Sequence, residues 1–264
     1  AFVVVDNQNT ITQVDRFTFK KLGTITTDLE TPRYIAIDGN RGYVTNWGTS
    51  SAFVAVVNLN TNLVEEKITV SNGPERILAH KGNLYVSHKG GFGSNNVISV
   101  INLSTKAVQE ITVDDKPDEI FISDSNHLIV LCEGNTLYDE NWNVIGNTEG
   151  SITTINTTNN KIVKEVDFSI GEHPSLLVPH NNNLYYVLNG SIYRISETSS
   201  SLSTEALFTS SGFLYGFNIS EDNKLFILNA NFSDLSTLNI FDLSTKSLLA
   251  SKEVAIGASK IYFN

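Results

Sequence analysis

The chain has 264 residues, 28 acidic against 18 basic side chains, one Cys and no Met, for a formal net charge of −10. An acidic balance lacks the basic stripe that phosphate backbones require, which argues against a nucleic-acid partner. Hydrophobic residues make up 41%, yet no apolar run approaches the roughly 20 residues of a membrane-crossing helix.

The chain opens at Ala1 without an initiator Met or a charged-then-apolar leader, so the expectation is a mature or trimmed fragment. The first predicted element is a strand over residues 2–5. It is followed by Val14-Asp15-Arg16-Phe17-Thr18, the first of six related turns. The others are Val57-Asn58-Leu59-Asn60-Thr61, Ile101-Asn102-Leu103-Ser104-Thr105, Ile155-Asn156-Thr157-Thr158, Ile195-Ser196-Glu197-Thr198 and Phe241-Asp242-Leu243-Ser244-Thr245, at steps of 43, 44, 54, 40 and 46 residues. Two further elements keep that phase. One is an apolar strand, as in Tyr43-Val44, Leu84-Tyr85-Val86 and Leu128-Ile129-Val130. The other is a Pro-led opening, as in Thr31-Pro32-Arg33, Gly73-Pro74-Glu75, Lys116-Pro117-Asp118 and His173-Pro174-Ser175.

Within each repeat, β-branched and aromatic residues fall into four short runs separated by Asn, Gly, Asp and Lys; in the third repeat they cover residues 76–79, 84–87, 97–102 and 108–113. Four antiparallel strands every 40 to 45 residues make a propeller blade. The expected fold is therefore an all-β, six-bladed β-propeller with four-stranded antiparallel blades, a single domain over residues 1–264. The tail Ser259-Lys260-Ile261-Tyr262-Phe263 is expected to join the N-terminal blade as its missing strand and so remove an open edge.

The residues Tyr43-Val44-Thr45-Asn46, Gly73-Pro74-Glu75-Arg76-Ile77 and Asn83-Leu84-Tyr85-Val86-Ser87 resemble the YVTN-repeat, YncE-like propellers. The loop Gly90-Gly91-Phe92-Gly93 resembles their surface-lipoprotein branch in Gram-negative bacteria. The family commonly has seven blades where six are counted here, so a seven-bladed form is the alternative. The resemblance implies an exported, cell-surface or outer-membrane protein, lipid-anchored through a segment outside this chain. It implies an accessory subunit of an outer-membrane complex or, alternatively, surface capture of a corrinoid-like molecule for a TonB-dependent transporter. A propeller enzyme, lactonase-like or quinoprotein-like, is the contrasting class.

Function belongs where loops are long and unusual. The loops between second and third strands supply Trp47; His88, Lys89 and Phe92; an insertion over residues 133–150 with Tyr138 and Trp142; and Phe232. The openings onto first strands on that face add Arg33 and Arg76, with Glu75, Asp118, Glu119, Glu172 and His173 beside them. The expected ligand- or partner-binding set is thus Trp47, His88, Lys89, Phe92, Tyr138, Trp142, Phe232, Arg33 and Arg76. No catalytic residue, metal ligand or cofactor is expected. Asp139, Asn141 and Asn143 have the spacing of a calcium loop, but Val144 stands where the turn needs Gly. His80, His127 and His180 fall at equivalent turns without a close-spaced ligand pattern, and no Gly-x-Ser-x-Gly elbow exists.

Overall fold

Strands buried on both faces read as unbroken apolar runs, and residues 53–58 and 97–102, the third strands of the second and third repeats, have that character. The computed structural model, which describes residues 1–263, builds them into successive antiparallel sheets. The chain divides into two compact units, residues 1–165 with 169–171, and residues 166–168 with 172–264.

In the first unit, β1 (Phe2–Val5), β2 (Thr10–Val14) and β3 (Lys21–Ile25) form a three-stranded sheet. The second sheet is β4 (Pro32–Asp38), β5 (Arg41–Asn46), β6 (Phe53–Asn58) and β7 (Leu63–Thr69). The third is β8 (Pro74–His80), β9 (Asn83–His88), β10 (Val97–Asn102) and β11 (Val108–Thr112). The fourth is interrupted: β12 (Pro117–Ile122) and β13 (His127–Cys132) are followed by a separate hairpin, β14 (Thr136–Tyr138) and β15 (Val144–Asn147). The sheet then resumes with β16 (Ser151–Asn156) and β17 (Lys161–Asp167). The second unit holds β18 (Ser175–His180), β19 (Asn183–Leu188), β20 (Ser191–Ser196) and β21 (Phe208–Thr209). It ends with β22 (Leu214–Ile219), β23 (Lys224–Asn229), β24 (Ser236–Asp242) and β25 (Leu248–Val254). Among the described residues six blade sheets, one per sequence repeat and apart from the β14–β15 hairpin, make this a six-bladed β-propeller.

Period-two alternation decides how neighbouring blades share side chains. In β6, Val54 and Val56 join Ile77, Leu84, Val86 and Ile101 of the third sheet. Phe53, Ala55 and Val57 of the same strand face Ile11 and Ile25 of the first. Likewise Tyr85 points into the layer with Leu128, Val130 and Cys132. Each fully buried side chain of this size contributes on the order of 2 kcal/mol. The Cys132 thiol is one of these packing groups, and burial pushes its pKa up, which keeps it in the unreactive form.

Hydroxyls tie blade to blade at one end of these layers. Thr45, the third letter of the Tyr-Val-Thr-Asn motif, is fully buried; its Oγ1 accepts the Tyr34 N–H (3.0 Å) and donates to the Glu75 carbonyl of the next blade (2.8 Å). Ser87 repeats the arrangement one blade on, accepting from Arg76 N–H (3.1 Å) and donating to Asp118 O (2.8 Å).

Residues 259–263 do not form the expected strand, and the first sheet stands as β1, β2 and β3. The segment is held on the sixth sheet by side chains. Asn218 Nδ2 donates to Ile261 O (2.8 Å), and the Phe263 ring meets Phe226 edge-on at 5.1 Å. Gly216 leaves the room this needs, since a Cβ there would stand 2.0 Å from Ser259 O.

Replacing Thr45 by Val keeps the shape but leaves a buried N–H and a buried carbonyl without their partner. The free energy of unfolding in urea should fall by about 2 kcal/mol, whereas the exposed Thr61→Val should change it by less than about 0.5 kcal/mol.

Candidate functional site

The first strands β4, β8 and β12 each begin with a proline, preceded by a residue at positive φ: Thr31, Gly73 and Lys116. Proline has no N–H to give a ladder, so it sits at a strand's first position. In all three strands the register then slips, between Pro32 and Ile35, Pro74 and Ile77, and Pro117 and Ile120. Such a bulge releases two residues from regular pairing and re-aims their side chains. The released pairs are Arg33-Tyr34, Glu75-Arg76 and Asp118-Glu119.

These pairs build a charge ladder across the blades. Arg33 grips the Glu75 carboxylate through Nε (3.1 Å) and Nη2 (2.8 Å), and reaches Asp6 through Nη1 (3.0 Å). Arg76 donates to Asp118 Oδ1 (3.0 Å), pairs with Glu119, and lies over the Tyr34 ring at 4.2 Å. Lys89 bridges Asp118 Oδ2 (3.0 Å) and Glu133 Oε1 (2.8 Å). Desolvation alone would lower the pKa values of Arg33, Arg76 and Lys89. Their carboxylate partners outweigh it and raise all three. Burial likewise opposes ionisation of Asp118, but Arg76 and Lys89 hold its carboxyl well below the usual range. For Glu133 the balance is reversed: burial, with Asp118 as a second contribution, pushes it up to about 7 against the pull of Lys89 and Lys116.

The aromatic residues of the prediction divide into two places in this unit. Trp47 joins the ladder. The Arg33 guanidinium lies 4.4 Å from its ring centre, and Phe92 meets it edge-on at 5.3 Å. The Trp47 ring is half-buried, whereas Phe92 is fully exposed. Phe92 is nevertheless held. Gly90 N–H donates to Gly73 O, Gly93 N–H to Gly90 O, and a Cβ on Gly73 would stand 2.1 Å from the Gly90 carbonyl carbon. Tyr138 and Trp142 sit instead on the β14–β15 hairpin, ring centres 6.0 Å apart. The base of that hairpin is tied down by Thr148 Oγ1 donating to Asp115 Oδ2 (2.8 Å).

The hairpin turn explains the calcium-like spacing. Asp139 Oδ1 accepts the N–H groups of Asn141 (2.8 Å) and Asn143 (2.9 Å), and Oδ2 accepts Asn143 Nδ2 (2.9 Å). Those bonds to Asn143 and Asn141 lower the Asp139 pKa and commit its oxygens to the turn. Trp142 follows at φ 64° with its side chain 82% exposed. Left-handed backbone at the end of such a turn suits Gly or Asn, and a bulky side chain there is a rare choice.

His88 takes a different place from the one expected. It is fully buried, with Nδ1 on Asn72 O (3.2 Å) and Nε2 on Ser99 Oγ (2.8 Å). A carbonyl only accepts, so Nδ1 carries the proton and Nε2 accepts from the serine. Burial lowers its pKa to about 4, so a neutral His88 braces the loop from beneath rather than meeting a partner. Phe232 lies in the second unit, exposed, against Phe213 and Tyr215. Sequence reasoning missed Tyr34 and Asp6 as ladder members. The available signal was the second position after each proline, where Tyr34, Arg76 and Glu119 recur in register.

No protein-family model matches the chain, and no curated protein matches it. Among solved structures it is similar to Kuenenia stuttgartiensis hydrazine synthase, with 19% identity and a TM-score of 0.64 over 92% of this chain and 73% of that one. It is also similar to the dihydro-heme d1 dehydrogenase NirN in complex with DHE, with 11% identity and a TM-score of 0.57 over 93% of this chain and 62% of that one. At such identities the likeness is one of fold.

The ladder sets a pH signature. Glu133, with its pKa raised from 4.5 to about 7, contributes stability that is full below pH 4.5 and is lost as pH rises through 7. Asp118 acts oppositely, its contribution being lost as acid is added below its ordinary value of 3.8. Glu133→Gln should therefore remove the decline in unfolding free energy between pH 4.5 and 7 and leave the acid loss in place, as read from urea titrations across that range.

Proposed function

We propose that this chain is a non-catalytic recognition propeller of the YVTN-repeat, YncE-like kind, exported to the cell surface. In this reading it serves as an accessory subunit of an outer-membrane protein complex. The observation that carries the reading is Trp142. A large indole stands in water on left-handed backbone, a conformation that costs an L-residue roughly 1–2 kcal/mol, and its ring partner, Tyr138, is itself half exposed. Strain of that kind clusters at functional sites, and in this reading it is retained at Trp142 because the exposed ring serves contact.

Phe92 supports the same reading. It is fully exposed on a loop pinned by close glycine backbones, so little ordering entropy is lost when a partner covers it. Aromatic anchors held in advance are the residues that dominate interface energetics. Arg33, Arg76 and Lys89 serve differently, since each ends on carboxylates of its own chain. They fix the loops from which the rings project, and the ring of Trp47, wedged between Arg33 and Phe92, transmits that rigidity.

Trp142→Gly separates contact from folding. Relief of the backbone should stabilise the protein by about 1 kcal/mol, while the outer-membrane partner recovered with the wild-type chain in native mass spectrometry is lost or depleted about tenfold. Phe92→Ala should deplete it similarly without shifting the unfolding temperature. Recovery of an undiminished complex with both variants would end this reading. Retention of a corrin absorption spectrum after incubation with cobalamin and desalting would replace it with small-molecule capture.

A further inference from the structure

The blade formed by β18, β19, β20 and β21 has an outer strand of only two residues, whereas β3, β7, β11, β17 and β25 run to between five and seven. A short outer strand leaves the space beside the next sheet unfilled. In this unit the result is a cavity of about 230 Å³ between β21 and the strands β23 and β24. Its apolar wall is Phe208, Ile227 and Phe241, the two rings 4.4 Å apart.

The remaining wall is neutral and polar. Asn229 Oδ1 accepts from Ser210 Oγ (2.5 Å), which leaves the Asn229 amide N–H groups without a protein partner among the described residues. The Asn239 side-chain amide and the Ser211 hydroxyl, both at the cavity, likewise bond to no protein group among the described residues. Among the described residues no Asp, Glu, Lys, Arg or His lines the space. An ion placed there would lack a counter-charge and would bear the cost of desolvation. A hydroxyl both donates and accepts, and so matches free amide and serine groups one for one.

An aromatic platform adjoins this cavity through the backbone. Leu214 is the register partner of Asn229, and Ala230 N–H donates to Phe213 O (2.9 Å). Gly212 comes so near Asn229 that a Cβ would lie 3.1 Å from the Asn229 side chain. Phe213 follows at once, exposed and stacked on Tyr215 at 5.7 Å, with Phe232 closing the group at 5.2 Å from Tyr215. Tyr215 is the residue that the β22 bulge, between Leu214 and Gly216, turns away from the ladder. Carbon–hydrogen faces of a pyranose ring lie well on such surfaces, and its hydroxyl rim needs neutral hydrogen-bonding groups.

From this juxtaposition we propose that the second unit carries a binding site for a neutral oligosaccharide. One sugar ring occupies the cavity against Phe208 and Phe241, with its hydroxyls on Asn229, Asn239 and Ser211. The next ring lies on Phe213, Tyr215 and Phe232. The site is independent of the Trp142 and Phe92 surface.

The test titrates the whole chain with maltotriose, cellotriose and tri-N-acetylchitotriose at millimolar concentrations, read by calorimetry and by the side-chain amide resonances of Asn229 and Asn239. At least one trisaccharide should bind saturably and move both amides. Asn239→Ala and Phe213→Ala should each weaken it about tenfold, and Trp142→Gly should leave it unchanged. The amide shifts in the wild-type chain keep the result readable even if a variant unfolds. Binding by none of the three, binding that both variants leave intact, or tighter binding of an anionic trisaccharide would overturn the proposal.

Discussion

The bulge behind each first-strand proline is the constraint on which the rest of the first unit depends. Without the register slip, Arg33, Glu75, Arg76, Asp118 and Glu119 would alternate in and out of the blade layers, and half of them would face the apolar packing between sheets. The slip turns two consecutive residues out of the ladder at the same level in successive blades. The buried Thr45 and Ser87 hydroxyls then satisfy the backbone N–H groups that the slip releases and bond onward to the next blade. Ion pairing is thus a consequence of backbone geometry, and that geometry is stabilised by two hydroxyls.

A ladder of this kind has a definite energetic character. The charges of Glu75, Arg76, Asp118 and Glu119 are largely removed from water, so each depends on its neighbours, and deletion of one of these leaves a buried charge uncompensated, at a cost of about 3–5 kcal/mol. The ladder as a whole need not exceed an apolar packing in stability. What it supplies is position: Arg33 fixes Trp47 from one side while Phe92 meets it from another. Lys89 joins the end of β9 to the loop that leads into the β14–β15 hairpin, through Glu133. His88, next to Lys89 in the chain and bonded at both ring nitrogens, is neutral and so adds no fourth cation to a site that already holds three.

The fold was largely legible in the amino-acid sequence because propeller strands are written twice, once as apolar runs and once as a repeat of turns at constant phase. The third repeat illustrates this: residues 97–102 were expected and β10 spans Val97–Asn102. The tail was misread because alternation in Ser259-Lys260-Ile261-Tyr262-Phe263 shows which side chains are apolar, not what will hold the backbone, and an amide from Asn218 does so here. The site was legible by residue type and less so by role. Trp47, Phe92, Arg33, Arg76 and Lys89 do converge, but nothing in a linear pattern tells an arginine that meets solvent from one that ends on a carboxylate 42 residues away. His88 was misplaced for the same reason: its burial depends on Asn72 and Ser99, which lie on other segments.

The bulge position carries different chemistry in different blades, and the two proposed roles follow from this difference. At the second, third and fourth sheets it bears Arg33-Tyr34, Glu75-Arg76 and Asp118-Glu119, whose charges are spent on one another. At the sixth it bears Tyr215, in contact with the rings of Phe213 and Phe232 and free of ionic partners. A repeat fixes the direction of the side chain, while the residue placed there decides whether that direction serves to lock blades together or to meet a ligand. Where charges at this position are satisfied internally, the proposed contact with other molecules is left to the loops, and hence to Phe92 and the Trp142 hairpin. Where the position is aromatic, the blade surface itself becomes the place of contact. The neutral-ligand site proposed for the second unit therefore uses the strand scaffold alone, without a long loop, because the bulge has already turned the ring outward.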